Sequence, residues 1–158
     1  MAPGSEHAGH GRSGHVRPGR AGRVQSPAVA GYRVIREDEL EFETRPHEPG
    51  EAPRHAANVT SDAALRNTRA SFFRYEPGAK GRRHDDKVQE ETYIPVRGTL
   101  TIYLGEPAVR EEVGPGGLVH VESGIARQLV NEGAEDLLVF IYGAPPERGD
   151  VEFFDSVV

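Results

Sequence analysis

The pattern of apolar and polar positions predicts short β-strands from residue 28 to the end of the chain. Apolar runs are separated by glycine and proline about every 8–12 residues, which is typical of an all-β barrel or sandwich. Alternation is clearest in residues 99–104, where Leu100, Ile102 and Leu104 share one face. The predicted strands cover residues 32–35, 69–75, 91–96, 99–104, 109–113, 118–121, 128–130 and 137–142.

Two segments are harder to assign from the pattern. Residues 43–57 are rich in proline and charge, so we expect neither helix nor strand there. Residues 151–158 are predicted to form either an edge strand or an arm. In either case Phe153 and Phe154 would pack on their own domain or on a second copy of the chain, and the sequence leaves both options open.

The first 27 residues differ in character from the rest. They are rich in glycine and arginine and have almost no large apolar side chains, so burial cannot compensate for their ordering entropy. We therefore predict a disordered tail over residues 1–27 and one β-barrel domain over residues 28–158. Histidines on so flexible a segment form no preset metal site; they are His7, His10 and His15.

Composition and charge narrow the function. The 158 residues include 19 Lys and Arg against 25 Asp and Glu, a net charge of −6, which argues against general nucleic-acid binding. The absence of cysteine excludes disulfides and thiolate chemistry. The longest apolar run, residues 137–142, is far shorter than the roughly 20 residues of a membrane span. A soluble, cytoplasmic protein without nucleic-acid or membrane partners is expected.

Residues 78–98 hold the most informative polar side chains. In an extended strand, His84 and Asp86 project to the same side, and Glu91 begins a neighbouring strand from which it can converge on them. An imidazole and two carboxylates form a sensible set for a divalent ion. The alternative interpretation is a charged loop on a solvated edge.

This stretch resembles the first motif of the cupin superfamily, a group of small β-barrels. The glycines, the histidine and the glutamate of that motif match with the correct gaps, but Asp86 stands where the second histidine ligand belongs. The matching residues are Gly78, His84, Glu91 and Gly98.

Residues 116–131 resemble the second cupin motif. Arg127 stands where the family's third histidine ligand is expected, and Gly117 replaces an aspartate. The matching residues are Gly116, Gly124 and Asn131. The resemblance extends over residues 66–144 and implies a cupin-type double-stranded β-helix, or jelly-roll barrel. It leaves the activity open, because this superfamily includes dioxygenases, isomerases, epimerases, decarboxylases and sugar-binding sensors.

The two departures from the motifs predict a degenerate metal site. Arginine stays protonated and has no lone pair to offer a metal. We therefore expect the Arg127 guanidinium to pair with Asp86 or Glu91 and the pocket to work without a cofactor. The alternative is a divalent ion, Fe, Mn, Ni or Zn, held by His84, Asp86 and Glu91.

Other polar residues extend the predicted ligand site. Tyr93 shares the Glu91 side of its strand and can orient a ligand or move a proton. A positive rim near His84 would favour small anionic ligands, unless the neighbouring acids Asp85, Asp86 and Glu90 neutralise it. The rim residues are Lys80, Arg82, Arg83 and Lys87. The predicted ligand-binding set is His84, Asp86, Glu91, Tyr93 and Arg127.

Three functions are compatible with this sequence. The first is a protein that binds a small organic anion in its barrel, without obligatory metal. The second is a metal-dependent enzyme of dioxygenase or isomerase type that uses His84, Asp86 and Glu91. The third is a metal-free isomerase-like or epimerase-like enzyme with His84 or Tyr93 as acid or base. The resemblance also implies a homodimer, as in many compact cupins.

Overall fold

The computed structural model describes residues 31–147 and 149–158. The predicted tail over residues 1–27 lies outside this range, and the boundary at residue 28 stays a prediction. The part described here forms eleven strands, a 3₁₀ turn at Glu37–Glu39 and one short helix, α1, at Val59–Asp62. The strands are β1 Glu43–Thr44, β2 Arg54–Asn58, β3 Arg69–Tyr75, β4 His84–Asp86, β5 Glu90–Arg97, β6 Leu100–Leu104, β7 Val109–Val113, β8 Val119–Val121, β9 Arg127–Val130, β10 Leu137–Ala144 and β11 Val151–Phe153.

The strands form two antiparallel sheets. One has the order β1-β2-β3-β10-β5-β8, and the other has the order β11-β4-β9-β6-β7. Neighbours in each sheet are mostly distant in sequence, which is the arrangement of a double-stranded β-helix. The all-β fold predicted from the alternation of apolar positions is therefore confirmed.

The core lies where alternating apolar side chains point between the sheets. Leu100 and Ile102 of β6 are fully buried, as are Leu137 and Val139 of β10. The turn between β5 and β6 requires glycine, because Gly98 has a φ of +76° and a Cβ there would lie 3.0 Å from the Asp136 carbonyl oxygen. The last glycine of the first motif thus makes the tight turn that takes the chain from one sheet to the other, against the start of β10.

Two of the predicted assignments were wrong. No strand forms over residues 32–35, where Val34 is 56% exposed and no neighbouring strand supplies a hydrogen-bonding ladder. Residues 43–57, expected to be irregular, contain β1 and most of β2. Strand β2 forms because it pairs with β3 in the register Ala57↔Phe72, which buries Ala57 completely. Tertiary pairing outweighs the weak local preference of this segment.

The C-terminal segment packs on its own domain. Strand β11 pairs with β4 at the edge of the five-stranded sheet. Beyond it, the buried Gln128 side chain donates from Nε2 to Ser156 Oγ at 2.7 Å and accepts from the Val157 amide at 2.8 Å. The structure thus shows an edge strand, one of the arrangements that the sequence left open. Within residues 31–147 and 149–158, no helix has the length and apolarity needed to cross a membrane.

Candidate functional site

A cavity of about 280 Å³ lies between the two sheets. Four strands of the six-stranded sheet, β2, β3, β5 and β10, supply one wall, and rows of cross-strand partners fix which side chains face inward. One row joins Arg69, Gly143 and Glu91, and the next joins Ser71, Ile141 and Tyr93. Strands β4, β9 and β11 supply the opposite wall through His84, Leu129, Val151 and Phe153.

Glu91, Tyr93 and Arg127 form a closed hydrogen-bonded network beside this cavity. The Arg127 side chain is fully buried, and its Nη2 donates to Glu91 Oε2 at 2.7 Å. Its Nε donates to the Tyr93 hydroxyl at 3.0 Å, and that hydroxyl donates in turn to Glu91 Oε2. The guanidinium–carboxylate pairing expected from the sequence is present, and Glu91 is the partner.

The network sets the protonation of its members. Burial alone would raise the pKa of Glu91, but the Arg127 guanidinium and the Tyr93 hydroxyl hold that pKa below its ordinary value. Burial and the Glu91 charge raise the pKa of Tyr93 well above its ordinary value. At neutral pH the site therefore holds a carboxylate, a guanidinium and a protonated tyrosine, so Tyr93 acts only as a donor or acceptor of hydrogen bonds.

Asp86 has a different role from the one its motif position predicts. Its Oδ1 accepts backbone N–H bonds from Val88 at 3.0 Å, Gln89 at 2.8 Å and Gly149 at 3.1 Å. Burial would raise the pKa of this carboxyl, but the three amides lower it. Asp86 thus holds together the turn after β4 and the loop before β11, and it is not among the residues that line the cavity.

His84 lines the cavity at the start of β4. Its Nδ1 lies 2.9 Å from the Arg82 carbonyl oxygen. A carbonyl only accepts, so Nδ1 carries the proton and Nε2 is the basic nitrogen of the neutral ring. The ring centroid lies 6.2 Å from that of Phe153, which places the imidazole against the C-terminal strand.

The donor set does not fit the divalent ion that the resemblance implies. Three amides occupy one oxygen of Asp86, and a guanidinium and a phenol share one oxygen of Glu91. Arg127 places positive charge where the family's third histidine would coordinate. Among the described residues, no three His, Cys, Asp or Glu side chains come together as a candidate metal site.

Sequence reasoning missed most of the positive charge in the cavity. Of the predicted rim, only Arg82 lines it, while Arg45, Arg54 and Arg69 line it unpredicted. Lys87 instead bonds Asp85 at 2.6 Å and Glu152 at 2.8 Å. The alternation in predicted strand 69–75 already puts Arg69 on the face of Tyr75. Arg45 and Arg54 gave no such signal, because the pattern of residues 43–57 predicted neither helix nor strand.

Arg69 is held in place by the buried Gln89 side chain. Gln89 Oε1 accepts from Arg69 Nη1 at 3.4 Å, and its Nε2 donates to the Pro145 carbonyl oxygen at 2.6 Å. The amide lies across Gly143, where a Cβ would come within 2.8 Å of Gln89 Cδ. Gly143 is therefore the position that allows Gln89 to support this arginine.

The cavity carries excess positive charge. Arg45, Arg54, Arg69 and Arg82 line it against a single carboxylate, Glu91. The charge of that carboxylate is already compensated by Arg127, at 2.7 Å. A negatively charged guest would be attracted by this cluster of arginines.

Comparisons with known proteins agree with this architecture. Residues 71–142 match the family model described as a cupin domain. A solved sugar phosphate isomerase of the cupin superfamily from Silicibacter pomeroyi superposes with a TM-score of 0.67 at 20% identity, over 78% of this chain and 83% of that one. The polyketide cyclase RemF from Streptomyces resistomycificus gives 0.65 at 22% identity, over 79% and 87%.

A predicted oxalate decarboxylase from Thermotoga maritima is also similar, with a TM-score of 0.62 at 16% identity over 72% of this chain and 99% of that one. No curated protein matches this chain significantly in sequence. Identities this low establish the fold and leave activity and ligand open. The family match places a cupin domain at residues 71–142 of this chain, and the shared barrel and the two motifs agree with it.

Proposed function

We propose that this barrel binds a small organic anion without needing a metal. The observation that carries the proposal is the set of four arginines around the cavity, facing one carboxylate whose charge Arg127 already balances. Hydrogen bonds between a guanidinium and a carboxylate or phosphate are about twice as strong as neutral ones. Inside a partly closed cavity, water screens such contacts less than at an open surface.

The geometry of Arg69 strengthens the proposal. A long arginine side chain loses rotamer freedom when a ligand fixes it, which costs up to about 2 kcal/mol. Gln89 already restrains Arg69 through the bond to its Nη1. Part of that cost is therefore met before a ligand arrives, as in other preorganised sites.

Thermal-shift measurements test the proposal directly. Small carboxylates and phosphorylated sugars are expected to raise the melting temperature, while neutral analogues of the same size are not. At 100 times its dissociation constant, a ligand stabilises the fold by roughly 2.7 kcal/mol. Arg69→Gln is expected to weaken the binding of a responding anion by at least about tenfold, since it removes a charge-assisted bond.

The matched control is Arg36→Gln, which removes an exposed arginine that bonds Glu39 away from the cavity. It is expected to leave binding unchanged. Equal stabilisation by neutral analogues, or no response to any anion, contradicts the proposal. Elemental analysis of the purified protein tests whether the site works without a metal. Near-stoichiometric iron, manganese, nickel or zinc would contradict that part of the proposal.

A metal-free acid–base enzyme is the second candidate. The observation in its favour is the position of His84, whose ring lines the cavity and is oriented by the contact of Nδ1 with the Arg82 carbonyl oxygen. Solved neighbours named as isomerases and as a cyclase support including an enzyme among the candidates. Exchange of a ligand's carbon-bound hydrogen in D₂O, abolished by His84→Gln with ligand binding intact, would support this function.

The metal-dependent enzyme is the weakest of the three candidates. It requires His84, Asp86 and Glu91 to converge on one ion, whereas Asp86 holds a turn and Glu91 holds Arg127. We do not propose it as the function of this chain. Its residues remain the ones to examine if metal analysis returns a bound ion.

We also propose the homodimer implied by the resemblance, and the cytoplasmic location stays a prediction. Strand β11 lies at the edge of the five-stranded sheet, and its Phe153 and the nearby Val158 are exposed, so this edge is a candidate for the contact. Light scattering coupled to size exclusion at micromolar concentration is expected to give twice the chain mass. A monomer mass would contradict the proposal.

A further inference from the structure

Arg54 and Tyr75 are direct neighbours on the inner face of the six-stranded sheet. They are register partners across β2 and β3, and both line the cavity. Side chains opposite each other on adjacent strands lie on the same face, within reach of a shared ligand. Arg54 is half-buried, and its Nη1 donates to the Lys80 carbonyl oxygen at 3.2 Å, which leaves other N–H groups of the guanidinium to serve a guest.

The Tyr75 hydroxyl makes no hydrogen bond to the described part of the protein and is open to the cavity. Tyr75 is 4% exposed, and within the described chain no hydrogen bond to its hydroxyl is made. By contrast, the Tyr93 hydroxyl both accepts and donates, and the Tyr103 hydroxyl donates to Glu132 at 2.8 Å. Because this oxygen is not among the fully buried polar atoms left without a partner, water or a ligand can reach it and accept its hydrogen. In Tyr75 the group borders the cavity.

The state of this hydroxyl suits it to an anion. Burial raises the pKa of Tyr75 to about 12, although the nearby Arg54 charge opposes the rise. The phenol therefore stays protonated at neutral pH and presents a hydrogen to an acceptor. A guanidinium and a phenol side by side form a donor pair that matches the two oxygens of a carboxylate.

Apolar side chains pack beside this pair in the otherwise polar cavity. Phe73 lies next to Tyr75, with ring centroids 6.2 Å apart, and Leu129 and Ile141 belong to the same packed cluster and line the cavity. A polyhydroxylated guest would leave its hydroxyls unpaired against these side chains. A guest with an apolar body would instead gain the transfer free energy of its buried surface.

We propose, on the basis of the anion-binding function argued above, that the ligands are small aryl or alkyl carboxylic acids. Their carboxylate lies between Arg54 and the Tyr75 hydroxyl, and their apolar body rests against Phe73, Leu129 and Ile141. The cavity of about 280 Å³ equals about nine water volumes, which suits an acid of benzoate size.

Calorimetric titration with defined probes tests this assignment. Benzoate is expected to bind at least about tenfold more tightly than gluconate, which carries the same charge on a hydroxylated body, and benzyl alcohol is not expected to bind. Tyr75→Phe is expected to weaken benzoate binding by about tenfold, the loss typical of a hydrogen bond to a charged group. Because the hydroxyl has no protein partner, this variant should melt no lower than the wild type.

Tyr103→Phe is the matched control, since it removes a tyrosine hydroxyl that bonds Glu132 outside the cavity; benzoate affinity should not change. If gluconate or glucose 6-phosphate binds as tightly as benzoate, the apolar-body assignment is overturned and anion binding stands. If benzoate binds equally well to Tyr75→Phe, or if that variant loses stability instead of affinity, the Arg54–Tyr75 placement is overturned. If no anion binds, the proposed function itself fails.

Discussion

Replacing Arg127 with methionine is expected to lower the free energy of unfolding by about 3–5 kcal/mol, the cost of leaving a buried charge without its partner. Glu91 is only 8% exposed, and Arg127 and Tyr93 are its hydrogen-bond donors. Without the guanidinium, Glu91 must either stay charged in the interior or take up a proton. Urea denaturation followed by circular dichroism measures the loss, which corresponds to a fall in melting temperature of roughly 10–20 °C.

A double variant separates the ion pair from packing. Combining Arg127→Met with Glu91→Gln removes both charges, and it should recover much of the stability lost by the single change. Arg110→Met is the matched control, because Arg110 pairs with Glu112 and Glu132 at the surface; only a small effect is expected. A loss for Arg127→Met as small as that for Arg110→Met would show that the pair is not structural.

Acid titration gives this prediction a second readout. The pKa of Glu91 in the folded state is lowered, so its contribution is fully present above the unfolded-state pKa and is lost as the pH falls through the folded value. The wild type should therefore lose stability steeply on acidification below about pH 4.5, the ordinary glutamate value. The double variant should lose less over the same range, and identical slopes would argue against the pair.

Arg127→His is expected to create a zinc-binding site in the barrel. Position 127 is the register partner of His84 across β4 and β9, and its side chain reaches Glu91. Two imidazoles and a carboxylate are a common zinc-ligand set. The ion would also replace the positive charge that Glu91 loses with the guanidinium. Zinc at 100 times its dissociation constant should stabilise the variant by roughly 2.7 kcal/mol and leave the wild type unchanged.

Arg127→Gln is the control for this gain, because it removes the guanidinium without adding an imidazole. It should show no zinc-dependent stabilisation. Failure of Arg127→His to bind zinc, if the variant is folded, would mean that the spacing of His84 and Glu91 departs from that of metal-binding cupins. Zinc binding by the glutamine variant would show that a histidine at position 127 is not needed for the metal site.

The fold could be predicted from the sequence because barrel strands show a local alternation of apolar and polar residues. The alternation of Leu100, Ile102 and Leu104 became β6 as expected, with the first two fully buried. The partner of Arg127 was narrowed to two carboxylates by charge alone, since a buried guanidinium needs an acid. Which carboxylate it would be depended on distances between strands, and no local pattern contains those.

The cavity was harder to predict because its charged residues come from segments without a strong pattern. Arg54 belongs to a proline-rich stretch that becomes a strand only by pairing with β3. The role of Asp86 depends on the Gly149 amide, which lies 63 positions away in sequence. Tyr75 ends a strand that the pattern predicted, but only the three-dimensional arrangement shows that its hydroxyl faces the cavity beside Arg54.

The two departures from the metal-binding motifs, Asp86 and Arg127, differ in how easily a histidine could replace them, because Asp86 also holds a turn. Position 127 can return to histidine at the expense of one ion pair. Changing Asp86 would deprive three backbone amides of their acceptor and weaken the hold on the loop that leads into β11, the strand that carries Phe153 to the cavity. Restoring the full set of metal ligands would therefore require a rebuilt loop before β11. The structural role of Asp86 thus opposes its replacement by the histidine of the metal-binding motif.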